Sequence, residues 1–97
     1  MSGKDSKTIG RNMEETKEYH QRYLRAINSP VRRKILRTLR ESDGSMEALA
    51  PVMGMDERTL NWHLSILEYG FCIEKEESEG KTLYRLTKEG EVVDYME

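Results

Sequence analysis

Apolar residues recur at helical spacing in several separate stretches of this chain and alternate in one other. Across residues 12–28, Tyr19, Tyr23 and Ile27 fall at i, i+4 and i+8, with Leu24 beside them and Met13 a turn and a half earlier. That period predicts an amphipathic helix. Glu14 and Glu15 open it and Arg22 and Arg25 lie near its end, the order that a helix dipole favours. Asn28-Ser29-Pro30 then breaks the pattern, with Ser29 suited to an N-cap and Pro30 to a first helical position. The next helix runs to about Glu41 with Val31, Ile35, Leu36 and Leu39 on its apolar face and Arg33, Arg37 and Arg40 on the other.

A turn at Ser42-Asp43-Gly44 leads to Ser45, which can cap a short helix over about 46–53. Pro51 inside that stretch predicts a helix that is short, kinked or late to start. Gly54 ends it, and Asp56 caps a helix that reaches Tyr69, with Gly70 closing it. Leu60, Leu64 and Leu67 point inward, while Arg58, Thr59, Asn61, Trp62 and Ser65 point elsewhere. Phe71 and Ile73, then Tyr84 and Leu86, alternate around an Glu79-Gly80-Lys81 turn, which predicts a hairpin over 71–87. Thr87 can cap a last helix over 88–96, with Val92, Val93 and Met96 as its stripe. The predicted fold is mainly α with a small β-hairpin wing. It is a winged helix-turn-helix core over 29–87, preceded by an extra N-terminal helix (12–28) and followed by a short C-terminal one (88–97), all one domain. Residues 1–11, polar and lysine-bearing, read as a disordered basic arm.

Composition changes this picture in three ways. With 36% apolar and 35% charged residues, the core is thin and a dimer would bury more. Nothing approaches a membrane span or a signal peptide, so a cytoplasmic location is expected. Cys72 is the one cysteine, and His20 and His63 lie far apart, so neither a disulfide nor a metal site is expected, and no cofactor. The charge is split: residues 1–40 hold 11 Lys/Arg against 4 Asp/Glu, and residues 41–97 hold 5 against 14. A basic field for phosphates would therefore come from the N-terminal half. No phosphate-cradling glycine loop, activated nucleophile or apolar carboxylate pair points to an enzyme.

Three stretches carry a family likeness. Ser29-Pro30-Val31-Arg32-Arg33-Lys34-Ile35-Leu36 resembles the opening helix of ArsR-type winged-helix repressors. Thr59-Leu60-Asn61-Trp62-His63-Leu64-Ser65-Ile66-Leu67-Glu68 resembles the family's recognition helix with its His-Leu step, and Tyr84-Arg85-Leu86-Thr87-Lys88-Glu89-Gly90 its exit from the wing. The likeness spans roughly 28–92. It implies a homodimer that binds double-stranded DNA and releases it on sensing a signal, with dimer contacts from the first and last helices. Here those would be Tyr19, Tyr23, Ile27, Val93 and Met96. The metal-sensing members carry a cysteine-rich box where this chain has residues 47–52 without cysteine or histidine, so metal sensing by that route is not expected.

The expected DNA-binding residues are Arg58, Thr59, Asn61, Trp62 and Ser65 on the recognition helix 56–69, Lys81 and Arg85 on the wing, and Arg33 and Arg37 as phosphate contacts. Each has a plainer reading. Trp62 could be a partly buried ring covering the hairpin, Asn61 a solvated asparagine, Arg58 an ion pair with Asp56 or Glu57, and the arginine row a solvated face. His63 reads as a structural histidine and Cys72 as a small hydrophobe. The rival function is a winged helix used as a protein-interaction module in a multi-subunit complex, favoured by Glu74, Glu76, Glu77 and Glu79 in the wing.

Overall fold

The order of elements follows from where the chain can cap a helix and where it can turn. In a computed structural model describing residues 8–41 and 44–95, these are α1 (Met13–Ile27), α2 (Pro30–Glu41), α3 (Met46–Met53), α4 (Glu57–Tyr69), β1 (Ile73–Ser78), β2 (Lys81–Leu86) and a closing 3₁₀ turn (Gly90–Tyr95). The expected arm falls mostly on residues 1–7, and Met96 and the Ser42-Asp43 step of the first turn also lie outside the described residues. Residues 8–11 are tied to α1: the Gly10 N–H donates to Thr16 Oγ1 and the Arg11 N–H to Glu15 Oε1 at 2.7 Å.

Side-chain oxygens start the helices where the pattern predicts. Asn12 accepts from the Glu15 N–H, Ser45 from Ala48 at 3.1 Å and Asp56 from Thr59 at 2.9 Å. Pro51 is accommodated inside α3. Its missing N–H would have reached the carbonyl of exposed Glu47, where water can substitute. Gly54 ends α3 in the left-handed region at φ 66°.

Gly70 is the C-cap of α4, as expected. The left-handed position is Phe71, at φ 68°, and not Gly70. The Cys72 N–H donates to the Leu67 carbonyl and the Phe71 N–H to that of Glu68, which is a Schellman closure with phenylalanine where glycine is usual. Gly70 is needed for space instead: a Cβ there would lie 2.6 Å from Ala26 Cβ and 2.7 Å from the Arg22 carbonyl. The Phe71 ring is held edge-on to Tyr19 at 5.2 Å.

β1 and β2 pair antiparallel from Ile73↔Leu86 to Ser78↔Lys81. The two-residue link Glu79-Gly80 has φ of 51° and 79°, the signature of a type I′ hairpin turn. Ser45 adds a single bridge to Leu83, and the Tyr84 N–H donates to the Gly44 carbonyl, so the wing is anchored to the start of α3. Ile35, Leu36, Leu49, Leu60, Leu64, Leu67 and Ile73 form the core where α2, α3, α4 and β1 meet. The last helix is a 3₁₀ turn starting at Gly90, where a Cβ would strike the Cys72 carbonyl. Thr87 caps it, accepting from the Gly90 N–H at 3.1 Å.

The expected dimer stripe faces inward. Ile27 and Val93 are buried in their own chain's core, Tyr23 packs against that core, and Tyr19 meets Phe71. The correction has a simple cause. Helical period shows that a face is apolar, not whether the surface it meets belongs to the same chain. The apolar side chains left outside on α1 are Met13, 83% exposed, and Leu24, 48% exposed.

Candidate nucleic-acid interface

α4 is held down by Leu60, Leu64, Ile66 and Leu67, which leaves Arg58, Thr59, Asn61, Trp62 and Ser65 on its exposed side. Trp62 is 56% exposed, unusual for so large an apolar ring. It does not cover the hairpin. It borders a shallow cleft with Arg25, Ser65, Ile66 and Tyr69 on the α1 side, and its ring edge meets His63 at 4.8 Å. The Ser65 hydroxyl is engaged with the Asn61 carbonyl at 2.9 Å, which leaves it an acceptor for an outside donor. Asp56, N-capping Thr59, has its carboxyl held below the usual range by those hydrogen bonds. Among the described residues, neither it nor Glu57 pairs with Arg58.

The hairpin register sorts the wing's charges onto two faces. Lys75 and Thr82 share the face that looks toward α4, where they line a groove with Arg58, Asn61, Glu57, Met46 and Tyr84. Lys75 was missed by sequence reasoning, because its side of the strand depends on where the pairing starts. Arg85 is on the other face, within 3.5 Å of Glu74 and 3.6 Å of Glu76. Lys81 is exposed at the turn on that same face. The two wing residues expected to meet DNA are thus on the face away from the groove, and one of them is paired with carboxylates.

The arginines of the N-terminal half are partly engaged inside the protein. Arg33 donates to the Ile27 carbonyl at 2.8 Å. Arg32, only 9% exposed, donates to the carbonyls of Ala26 at 3.0 Å and Arg25 at 2.9 Å, and contacts His63 Nδ1 at 3.2 Å. Between them these two side chains satisfy three of the carbonyls that the end of α1 leaves open. Arg22 does similar work at α4, donating to the Tyr69 carbonyl at 2.9 Å while its guanidinium lies 3.6 Å from the Tyr69 ring centre and 4.5 Å from that of Phe71. Arg37 lies on α2, half-buried.

No metal-holding group of His, Cys, Asp and Glu occurs among the described residues. Burial, with Glu89 nearby, pushes the Cys72 thiol up to about 12, so it is protonated at neutral pH and chemically quiet. No described helix is long and apolar enough to cross a membrane.

Two helices, α3 and α4, joined by a tight turn and followed by a β-hairpin against the second, make a winged helix-turn-helix. No family model matches the chain, and no curated protein matches it by sequence. Solved structures do. A fragment of a protein described as a possible transcriptional regulatory protein from Mycobacterium bovis is 26% identical, with 81% of this chain and 83% of that one covered and a TM-score of 0.68. The transcriptional repressor BigR from Xylella fastidiosa is also 26% identical, with 91% and 93% covered and a TM-score of 0.67. A solution structure from Mycobacterium bovis, described as a homodimeric winged helix-turn-helix DNA-binding domain of a possible ArsR-family regulator, is 24% identical, with 91% and 80% covered and a TM-score of 0.73. The chain has a winged helix-turn-helix fold, similar to the folds of these solved proteins.

Proposed function

We propose that the chain is a sequence-specific, dimeric double-stranded DNA-binding transcriptional regulator, with α4 entering the major groove. The observation that carries this reading is the continuous exposed surface of Trp62, Asn61 and Arg58 on α4, extended by Arg25 on one side and Lys75 on the other. Asn61 offers a donor and an acceptor to adenine, Trp62 an apolar contact for a thymine methyl, and the three cations face phosphates. The solved relatives described as transcriptional regulators support it. The dimer reading draws on the homodimeric relative and on the flank of α1 where Met13, Lys17, His20 and Leu24 follow at i, i+4, i+7 and i+11.

The test is a selection from a random duplex pool, followed by titration of the selected sequence against a scrambled one at low and moderate salt. Trp62→Ala and Asn61→Ala are expected to lose about tenfold or more on the selected sequence, a bidentate base contact being worth about 1–3 kcal/mol, without a drop in melting temperature. No binding to any duplex at low salt defeats the reading.

One observation favours the second reading, a protein-interaction module. The outer wing face carries Glu74 and Glu76 around Arg85, with Lys81 and Glu79 at the tip, three carboxylates against two cations. A protein partner captured through that face, lost on Glu76→Lys and Glu79→Lys, with no DNA bound, would establish the module instead.

A further inference from the structure

Among the described residues, the buried guanidinium of Arg32 has no carboxylate partner. Its hydrogen bonds go to the Ala26 and Arg25 carbonyls at the end of α1 and to His63 Nδ1 on α4. The negative end of the α1 dipole supplies its counter-charge. A guanidinium can only donate, so His63 Nδ1 must be the acceptor, and the ring proton must sit on Nε2. His63 also touches the Trp62 ring, and these two are its only partners among the described residues.

We infer that Arg32 and His63 are positioning residues that hold the recognition helix on the end of α1, and hold Trp62 in its exposed pose, only while His63 is neutral. A proton on Nδ1 removes the acceptor and sets a second positive charge about 3.2 Å from the first. The charged groups that face the pair make this worse. Arg25 of α1 already acts on Arg32 and Arg32 acts on His63, while among the described residues neither α3 nor the hairpin brings a charge to the ring. Burial first, and the Arg32 charge second, hold the His63 imidazole below its ordinary value of 6.5. A histidine whose folded value is depressed contributes stability that is complete above the unfolded value and is lost as the pH falls through the folded one. The other histidine, His20, is exposed on α1 and takes no part.

The inference uses the DNA reading only for its consequence, that affinity falls with acidification. Three measurements on the full chain test it. Trp62 is the only tryptophan and its ring abuts His63, so a protonated imidazole quenches it. Its emission, followed from about pH 8 to about pH 5, is expected to fall below 6.5 in the native chain and to stay flat in His63→Asn, whose Oδ1 can replace Nδ1 as acceptor but cannot titrate. Nitrogen NMR is expected to find the proton on Nε2 at neutral pH, and Arg32→Met is expected to raise the His63 value toward 6.5. Binding to a mixed-sequence duplex is expected to weaken on acidification over and above the general pH trend, and His63→Asn is expected to remove that excess loss. A proton on Nδ1, a His63 value that Arg32→Met does not move, or a His63→Asn emission profile matching the native one each overturns the inference. If no duplex is bound at any pH, the DNA reading falls, and tautomer and emission still decide the brace. If His63→Asn does not fold, the tautomer and the Arg32→Met shift decide it.

Discussion

α1 approaches the end of α4 closely at Gly70, and replacing it with alanine sets two physical effects against each other. Its backbone, φ −92° and ψ 14°, is one that alanine adopts freely. On conformational entropy alone Gly70→Ala should stabilise the chain by about 0.4–1 kcal/mol. The added Cβ, however, would lie 2.6 Å from Ala26 Cβ, 2.7 Å from the Arg22 carbonyl oxygen and 3.2 Å from that of Ile66. Non-bonded carbons rest at about 3.5–4.0 Å, so the helices must part by about 1 Å. None of the three atoms is the end of a flexible side chain that can swing aside. Overpacking of this kind costs about 1–3 kcal/mol, more than the entropy gain. The net expectation is destabilisation by about 1–2 kcal/mol, a melting temperature lower by roughly 4–8 °C per kcal/mol in a domain this size. Urea unfolding followed by far-UV circular dichroism reads the change, with an unaltered slope as the check that only stability moved. Ala26→Gly removes the 2.6 Å contact and leaves the 2.7 Å one, so Gly70→Ala should cost less when made in an Ala26→Gly background than in the native chain. A single Gly70→Ala variant as stable as the native chain, or more so, refutes the argument that space rather than backbone freedom requires glycine there.

Three further outcomes are expected. Lys75→Ala and Arg58→Ala should each weaken binding to all duplexes about equally and reduce the salt slope by about one, as loss of a phosphate contact does. Arg85→Ala should leave duplex affinity nearly unchanged and alter stability by no more than about 1 kcal/mol, because its ion pairs are exposed and lie on the other wing face. Leu24→Glu should shift the chain to a monomer in sedimentation without lowering its helical content, since Leu24 is half exposed and outside the core.

The parts of the fold that depend on short-range chemistry could be read from the sequence. Ser45 and Asp56 cap the helices they were expected to cap, and Leu60, Leu64 and Leu67 anchor α4. The hairpin follows from its two-residue turn. What could not be read depends on long-range geometry. Tyr19, Tyr23 and Ile27 mark an apolar face, but only the packing of α1 on α4 shows that its own chain covers that face. Lys75 and Arg85 differ by register alone: the pairs Lys75↔Tyr84 and Glu74↔Arg85 put one toward α4 and the other away from it. Arg32 and Arg33 are neighbours in a basic stretch of the sequence, and both turn back to the end of α1.

That last point alters the charge argument. Counting residues 1–40 suggests a strongly basic half, yet Arg22, Arg32 and Arg33 all donate to main-chain carbonyls at helix ends. The cations that flank the exposed face of α4 are Arg25, Arg58 and Lys75, and Glu77 shares the inner wing face with Lys75. Each neutralised phosphate contributes about 0.9 to the slope of affinity against salt, so three per protomer is a small electrostatic grip. Such a protomer bound alone would be weak, with a shallow dependence on salt. In the proposed dimer, two protomers linked through α1 would engage two half-sites, and the second contact would then be made at high effective concentration. On this proposal the dimer would supply the affinity that charge does not, and Asn61 and Trp62 the choice of sequence.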